Sequence, residues 1–344
     1  MATYGVLTGG GDCPGLNAVI RAVVRRGLHD GHRFFGFNSG WLGVRIDKGY
    51  ELTHENTSGL LPRGGTILGT SRTDPLADGE AGVDELRATL ERRGIDGLVV
   101  IGGNGTLGAA RELSRRGVPL VAVPKTIDND VPGTDFSVGF HTAVKIATDA
   151  IDRLHTTAES HNRVMVVEVM GRHTGWIATF AGMASGADMI LVPEQPYDIQ
   201  KVCAHLRRRH AGPHSFSIVV VAEGASGIRP ARVTNPEERH ELSTRPAEGV
   251  AFDVGKQIEE LTGYETRVTI LGHVLRGGKP VAFDRLLATR YGVAATEALT
   301  AGRFGKMMSF TGDAICEVDL AEALAPGKKE LDLSLYDVAE VFFE

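Results

Sequence analysis

The chain has 344 residues, of which 42% are hydrophobic and 23% charged, and its net charge is -6. This length suggests about two domains, and the acidic balance argues against a nucleic-acid surface spread over the molecule. The three cysteines lie far apart, and neither a leader pattern nor a long apolar span is evident. We therefore expect a cytoplasmic protein without disulfides, nucleic-acid partners or membrane contact.

An apolar run at residues 4–8 leads into a glycine-rich loop at 9–15, and a helical pattern follows. The order strand, glycine loop, helix exposes backbone N–H groups beside a helix N-terminus, which attracts phosphate. The loop lacks the Gly-Lys-Ser/Thr of a Walker A motif and the spacing of the dinucleotide fingerprint. Because any tight turn between a strand and a helix favours glycine, this loop alone is a weak signal.

A second strand is predicted at residues 34–37, and a long glycine-rich loop with two arginines follows at 61–73. Arg72 in this loop is long enough to reach a phosphate. Taken alone, such an arginine is more often a solvated surface residue. The loop therefore becomes informative only together with the strand ends that follow it.

Two further predicted strands, at residues 97–101 and 118–123, are each followed by a polar motif. The motifs are Gly-Gly-Asn-Gly-Thr at 102–106 and Pro-Lys-Thr-Ile-Asp-Asn-Asp at 124–130. Ligands of α/β sheets bind at the carboxyl ends of strands, where a carboxylate can accept a proton and a lysine can hold phosphate charge. Asp and Asn also stabilise plain turns. Two glycine loops at other strand ends favour the functional interpretation.

The second half of the chain repeats the alternation of strands and helices. It predicts a mainly parallel sheet with helices on both faces, and a break between two units near residues 136–140. A polar segment at 226–248 predicts a loop. Predicted elements in this half are a helix at 142–154 and strands at 164–169, 187–192, 217–221, 267–271, 306–310 and 314–318.

These segments resemble the phosphofructokinase family, most of all its actinobacterial branch, which mixes features of ATP-using and diphosphate-using enzymes. The motif at 124–130 together with Glu-Val-Met-Gly-Arg at 168–172 is highly specific, and matching segments span nearly the whole chain. The resemblance implies two Rossmann-like α/β domains with the active site in the cleft between them. It implies a donor-binding domain at residues 1–138 and about 275–325, and a sugar-phosphate-binding domain at 139–274 and about 326–344.

The activity implied by the resemblance is glycolytic, ATP-dependent phosphorylation of fructose 6-phosphate at its 1-hydroxyl, with Mg²⁺ as cofactor. Asp128 would be the general base, Arg172 would stabilise the transferring phosphoryl group, and Lys125 would add positive charge. Phosphoryl transfer depends mostly on positioning and charge neutralisation, which suits these residue types. The donor would be held by Gly11, Arg72, Thr73, Gly103, Asn104, Gly105 and Thr106.

The resemblance also assigns the sugar-phosphate site and its oligomeric setting. Arg163 and Arg267 would reach the 6-phosphate of the adjacent subunit's substrate, so that a homo-oligomer, tetramer or dimer, shares its active sites. Without the family, each of these arginines is as easily a surface or ion-pair residue. The remaining sugar-phosphate residues would be Thr126, Asp128, Asp130, Met170, Gly171, Arg172, Glu223, His273 and Arg276.

The chain departs from the family pattern at several positions. The family has Asp or Glu where this chain has Asn104, and that carboxylate helps to hold Mg²⁺. Asn keeps a carbonyl oxygen without the charge, so we expect weaker Mg²⁺ binding here. Leu275 replaces the usual Gln, and we expect this to change the sugar pocket. The family's effector site is matched only in part: Arg21 and Arg25 agree with it, whereas His155 and residues 212–216 lack the expected basic side chains.

Two residues give opposite indications of whether the phosphoryl donor is ATP or diphosphate. Gly105 leaves space for a nucleotide, where the diphosphate-using branch has Asp, whereas Lys125 belongs with diphosphate use. We weigh Gly105 more heavily, because a misplaced carboxylate excludes ATP while an additional lysine is compatible with either donor. Alternatives are a diphosphate-dependent enzyme, a paralogue that transfers a phosphoryl or diphosphoryl group to another ketose 6-phosphate, and a non-catalytic regulatory subunit.

Overall fold

The computed structural model describes residues 1–212, 215–228, 249–325 and 327–343. The chain divides into two compact units, one of Met1–Thr142 with Arg276–Lys329, the other of Ala143–Leu275 with Glu330–Glu344. Within these described ranges no helix is long and apolar enough to cross a membrane. Both units are built from mainly parallel sheets with helices, so the predicted fold class is confirmed.

Twelve strands are present in the described part of the chain. Most coincide with the apolar runs of the sequence, because strands of parallel sheets are buried on both faces. The strands are β1 Thr3–Thr8, β2 Arg33–Phe37, β3 Gly49–Leu52, β4 Gly97–Gly102, β5 Leu120–Thr126, β6 Val138–Gly139, β7 Val164–Val169, β8 Met189–Leu191, β9 Ser217–Ala222, β10 Thr266–Ile270, β11 Lys306–Thr311 and β12 Ala314–Asp319.

Helices connect most of these strands and carry apolar residues at helical spacing on their inner sides. The α-helices in the described ranges are α1 Leu16–His29, α2 Trp41–Arg45, α3 Gly79–Arg92, α4 Asn104–Arg115, α5 Phe140–His161, α6 Trp176–Ala184, α7 Ile199–His210, α8 Gly249–Thr262, α9 Ala282–Thr300, α10 Leu320–Ala323 and α11 Leu333–Glu340, with a 3₁₀ helix at Gly272–Arg276.

The sheet of the first unit has eight strands, in the order β12-β11-β5-β4-β1-β2-β3, with β6 paired to β5. Only the edge strands β3 and β12 run antiparallel to their neighbours. In β4, Leu98 and Val100 belong to the core formed with α3 and α4. Val99 and Ile101 are fully buried on the opposite face, where α9 packs against β4. Helices therefore cover both faces of this sheet.

The sheet of the second unit has four parallel strands, in the order β10-β7-β9-β8. Its core combines Val164 and Val166 of β7 with Val219 and Val221 of β9 and the inner faces of α7 and α8. All six residues of β7 and of β9 are buried. The two central strands thus fix the loops that leave their carboxyl ends.

Some predicted boundaries differ from the structure. Strand β5 continues to Thr126, three residues beyond the apolar run, because Pro124 still pairs with Gly102 of β4 and the next two residues pair with β6. Helix α5 extends past the predicted 142–154 at both ends and runs through the end of the first unit at Thr142. The predicted loop at 226–248 lies outside the described residues from 229 onward, as do residues 213 and 214 of the stretch compared with the family's effector site.

Candidate active site

The three polar motifs singled out in the sequence emerge at one edge of the first sheet. They follow β1, β4 and β5, which are neighbouring parallel strands in the order β5-β4-β1. The loops after these strands border a cavity of about 680 Å³. Predicted site residues that line this cavity are Gly11, Arg72, Thr73, Gly103, Asn104, Gly105, Thr106, Lys125, Thr126, Asp128, Asp130 and Arg276.

The first two glycine loops are packed together by Thr106. Its side chain is 7% exposed and fills the space beside Gly9 and Gly102. A Cβ atom at Gly9 would lie 2.6 Å from Thr106 Oγ1, and one at Gly102 would lie 2.4 Å from Thr106 Cβ. Only glycine allows this approach, so these two glycines serve the packing of the loops.

The loop at 61–73 is fixed to the first glycine loop by hydrogen bonds. The Gly10 N–H donates to the Ser71 carbonyl over 2.9 Å, and Thr70 Oγ1 donates to the Gly10 carbonyl over 2.6 Å. Near the start of the loop at 61–73, the buried side chain of Asn17 donates a hydrogen bond to the Gly64 carbonyl and accepts one from the Ile67 N–H. This anchoring places Arg72 and Thr73 at the cavity, with the Arg72 side chain exposed.

Two helices begin at these loops. The N-cap residues of α1 and α4 are Gly15 and Gly103, and neither supplies a side-chain cap. The first N–H groups of an α-helix have no partners within the helix, and the helix dipole places partial positive charge at this end. Because Gly103, Asn104 and Gly105 line the cavity, the start of α4 suits a phosphate group there.

Lys125 lies beneath the first glycine loop. Its side chain is 2% exposed, and Nζ donates to the Gly9 carbonyl over 3.2 Å and also to the Gly11 carbonyl. Burial is the largest influence and lowers the pKa of the ammonium, while the carboxylates of Asp12 and Asp128 oppose this shift. The lysine therefore stabilises the loop through hydrogen bonds and also places positive charge at the cavity.

The acidic turn after β5 is shaped by Asn129. This fully buried residue has a φ of 51°; its amide donates to the Asp135 carbonyl and accepts from the Ser137 N–H. Asp128 is partly exposed to the cavity, and Asp130 is 7% exposed. The turn thus presents two carboxylates to the cavity, while the amide between them is a structural residue.

Asn104 contacts this turn directly. Its Nδ2 donates to the backbone carbonyl of Asp130 over 3.1 Å, and the same carbonyl accepts from the Lys329 N–H over 2.9 Å. The amide therefore connects the start of α4 to the turn that carries Asp128. A carboxylate at position 104 has no hydrogen to donate to this carbonyl when ionised.

The oxygen atoms at the cavity fit Mg²⁺ only in combination with a phosphate ligand. Asp12, Asn104, Asp128 and Asp130 line the cavity, and Mg²⁺ prefers the carboxylate and amide oxygens that such residues carry. Among the described residues, however, no three His, Cys, Asp or Glu side chains are grouped so that they could hold a metal by themselves. Donor phosphates would have to supply most of the coordination.

In the second unit, the predicted sugar-phosphate residues follow the carboxyl ends of three neighbouring strands. Met170, Gly171 and Arg172 follow β7, Glu223 follows β9, and His273 lies in the 3₁₀ helix after β10. The Glu223 N–H donates to the Val169 carbonyl over 2.9 Å. Arg172 and His273 are exposed.

Glycine is required at position 171. The residue has a φ of 141°, a conformation that other residues rarely adopt. A Cβ atom there would also lie 2.6 Å from the Thr174 carbonyl. The turn after β7, and with it the position of Arg172, therefore depends on this glycine.

Arg163 and Arg267 lie at the opposite edge of the second sheet. Arg163 precedes the first residue of β7, and Arg267 is the second residue of β10. Since β7 and β10 run parallel with Val164 opposite Thr266, the two arginines meet at the amino ends of their strands. A six-residue strand, about 20 Å long, separates them from Arg172 within one chain.

Several outcomes were not evident in the sequence. Asp12 and Lys328 also line the cavity of the first unit; Asp12 is signalled by its place in the glycine loop, whereas nothing near Lys328 marks it. Arg276, predicted at the sugar phosphate, lines this cavity beside Gly11. Leu275 is fully buried, and the expectation that it changes the sugar pocket stays a prediction.

The fold and the cavity define a parallel α/β protein whose glycine loops and helix N-terminus suit a phosphorylated ligand. A family model described as phosphofructokinase matches residues 3–299. The chain belongs to the phosphofructokinase family, which confirms the family predicted from the motifs and makes the protein a phosphotransferase that uses an alcohol acceptor.

Named relatives divide over the phosphoryl donor. The chain is 51% identical to a pyrophosphate–fructose 6-phosphate 1-phosphotransferase of Streptomyces coelicolor, over 98% of this chain and 99% of that protein. It is 49% identical to an ATP-dependent 6-phosphofructokinase of Mycobacterium leprae, with the same coverage. The structure of phosphofructokinase from Saccharomyces cerevisiae superimposes with a TM-score of 0.82 at 32% identity. That match covers 99% of this chain but only 47% of the yeast chain.

Proposed function

We propose that the protein transfers the terminal phosphoryl group of ATP to the 1-hydroxyl of fructose 6-phosphate in the cytoplasm, giving fructose 1,6-bisphosphate and ADP. The observation that carries this proposal is the presence of Asp128 in one cavity with two glycine loops and the start of α4. That cavity combines groups that attract phosphate with a carboxylate that can accept a proton.

In the proposed reaction, Asp128 accepts the proton of the 1-hydroxyl while the hydroxyl oxygen attacks the terminal phosphorus. The bond between this phosphorus and the bridging oxygen of ATP breaks, and ADP leaves. Lys125, Arg172 and the N–H groups at the start of α4 offset the charge of the transferring group. Mg²⁺, bound with the donor and facing Asn104, would neutralise further phosphate charge.

The sugar phosphate would be held by residues of the second unit around Arg172, Glu223 and His273. Arg163 and Arg267 would bind the 6-phosphate, but on the substrate of an adjacent subunit. Their position at the amino ends of β7 and β10 supports this part of the proposal, since one sugar phosphate does not span the strand length that separates them from Arg172. The functional assembly would then be a homo-oligomer with shared sites.

ATP is the proposed donor because of the space at Gly105. A Cβ atom at this exposed residue would meet no atom within 4 Å, so the nucleotide side of the cavity is open there. The second candidate donor is diphosphate. Lys125 at the cavity favours it, because a buried ammonium group suits a compact, highly charged anion.

The test is to measure product formation from fructose 6-phosphate with ATP and with diphosphate, for wild type and for Gly105→Asp. The open space around Gly105 lets the variant fold, and its carboxylate should repel the nucleotide phosphates. We expect ATP use by the wild type and a loss of about 10²-fold in kcat/KM for ATP in the variant, with a smaller loss for diphosphate. A wild type that uses only diphosphate would overturn the choice of donor.

The acceptor is tested in the same assays by replacing fructose 6-phosphate with other ketose 6-phosphates and identifying products by mass. A preference for another ketose phosphate, or a diphosphorylated product, would indicate the paralogue. No turnover with any acceptor would indicate the regulatory subunit. Either result would replace the proposed function.

A further inference from the structure

Glu265 connects the two arginines at the amino edge of the second sheet. Nη2 of Arg163 lies 2.8 Å from Glu265 Oε1, and Nη2 of Arg267 donates to the same oxygen. The hydrogen bond from Arg163 is the largest cause that lowers the pKa of this carboxyl group, so the carboxylate is ionised near neutral pH. Two guanidinium groups thus converge on one anionic oxygen.

The backbone fixes this arrangement. Glu265 immediately precedes β10, and its carbonyl accepts from the Val164 N–H over 3.0 Å at the start of β7. The pairing of Val164 with Thr266 then places Arg163 on one side of Glu265 and Arg267 on the other. Residues about a hundred positions apart in the chain form the cluster because the two strands are neighbours.

The cluster has more positive than negative charge. Two guanidinium groups face one carboxylate, and both contact the same oxygen, Oε1 of Glu265. A phosphate offers more acceptor oxygens than a carboxylate and can accept bidentate hydrogen bonds from guanidinium groups. The arginine pair therefore has the charge for a dianionic ligand and can donate more hydrogen bonds to it than to one carboxylate oxygen.

The ion pairs that would have to be broken are exposed. The side chains of Arg163, Glu265 and Arg267 are 26%, 42% and 50% exposed. Exposed ion pairs contribute little free energy because water and salt screen them, whereas arginine–phosphate hydrogen bonds are strong and often bidentate. A phosphate monoester can therefore displace the carboxylate at a modest cost.

We infer that Glu265 occupies the place of the substrate's 6-phosphate on Arg163 and Arg267, and that competition between them sets the KM for the sugar phosphate. This inference rests on the proposed function, because it concerns the same phosphate-binding arginines. Glu265 touches no reacting atom, so its effect should fall on KM and leave kcat unchanged. The contrasting interpretation is a structural ion pair that holds the arginines ready for phosphate.

The experiment uses Glu265→Gln in the full-length oligomer. Gln keeps the size of the side chain and loses its charge, so the arginines are released to the substrate. We expect the KM for fructose 6-phosphate to fall about threefold to tenfold, with kcat within about twofold of wild type. Glu260→Gln is the matched control, because this exposed glutamate of α8 lies 3.9 Å from Lys256 in a weak pair.

Inorganic phosphate provides a second readout. As a competitive inhibitor against fructose 6-phosphate, it should bind Glu265→Gln more tightly than wild type by a similar factor. A KM that rises or stays the same in Glu265→Gln would overturn the competition and assign Glu265 a structural role.

The variant Arg163→Ala distinguishes failure of the inferred competition by Glu265 from failure of the proposed function. If Arg163→Ala raises the KM at least tenfold, as expected for a lost phosphate contact, the 6-phosphate assignment holds whatever Glu265→Gln shows. If Arg163→Ala leaves the KM unchanged, the phosphate assignment fails, and the role of Glu265 fails with it. Thermal unfolding of each variant verifies that its fold is intact.

Discussion

Asp128 and Asn129 are adjacent residues with different roles. Asn129 adopts a positive φ and bonds to the Asp135 carbonyl and the Ser137 N–H, so it shapes the turn. Asp128 is partly exposed to the cavity. The sequence singles out both residues as polar groups at a strand end, but only their burial and partners separate the structural residue from the proposed catalytic one.

Replacing Asp128 by Asn should lower kcat by about 10²–10⁴-fold, the usual effect of removing a positioned general base. The amide has nearly the same shape as the carboxylate, so the KM values for ATP and fructose 6-phosphate should change much less. Steady-state kinetics with both substrates checks this, alongside a thermal unfolding curve like that of the wild type. A variant that keeps near-normal kcat would show that another group accepts the proton.

Asn104→Asp should have two opposite effects. The added charge should lower the Mg²⁺ concentration needed for half-maximal rate. The variant also loses the hydrogen bond from Asn104 Nδ2 to the Asp130 carbonyl, so kcat should fall about threefold to tenfold if that bond positions the turn. A Mg²⁺ titration at saturating substrates measures both quantities.

Asn104→Ala is the control for this pair of effects, because it loses the hydrogen bond without gaining the charge. We expect a similar decrease in kcat with no gain in apparent Mg²⁺ affinity. If the Asp and Ala variants need the same Mg²⁺ concentration as wild type, residue 104 does not face the metal.

At the scale of elements, the cavity of the first unit is a consequence of strand order. Strands β1, β4 and β5 are neighbours and run parallel, so their three loops emerge side by side. Thr106 fills the space between two of the loops, and the ammonium group of Lys125 donates hydrogen bonds to backbone carbonyls of the first loop. The first glycine loop is thus held by α4, which carries Thr106, and by β5, which carries Lys125.

Lys125→Met should raise the KM for ATP by at least about tenfold, because the carbonyls of Gly9 and Gly11 lose their buried donor and the loop shifts. The KM for fructose 6-phosphate should change less. Lys328→Met is the matched control: Lys328 lines the same cavity but is exposed, so its loss removes charge without releasing the loop. Equal effects of the two substitutions would indicate that Lys125 acts through charge alone.

At the scale of the whole molecule, the second unit presents candidate residues for binding a sugar phosphate at both ends of its sheet. Arg172, Glu223 and His273 follow the carboxyl ends of their strands, while Arg163 and Arg267 lie at the amino ends. A single chain does not bring these two groups to one sugar phosphate. The arrangement agrees with substrates shared between subunits of an oligomer.

Mixing Asp128→Ala subunits with Arg163→Ala subunits should restore activity. In a shared site the base comes from one subunit and the arginine from another, so random pairing of equal amounts leaves about one quarter of the sites intact. Activity of the mixture, measured after dissociation and reassembly and compared with each variant alone, checks this. In verified mixed oligomers, a rate no higher than that of either parent would argue against shared sites.

The sequence by itself determined the family, the alternation of strands and helices, and the polar motifs after β1, β4 and β5 that border the first cavity. These features are local: apolar runs mark buried strands, and glycine-rich or acidic motifs directly follow them. For the same reason the prediction ended β5 too early, since its last three residues are held by strand pairing rather than by apolar side chains: Pro124 pairs with β4, and Lys125 and Thr126 pair with β6.

Only the tertiary structure decided which distant residues meet. It buried Lys125 beneath the glycine loop, joined Asn104 to the Asp130 carbonyl, brought Lys328 to the cavity and placed Leu275 in the interior. It also gathered Arg163, Arg267 and Glu265 at one edge of the second sheet, because β7 pairs with β10 in a fixed register. Strand pairing and side-chain burial depend on contacts between remote segments, and no local pattern of residues specifies those contacts.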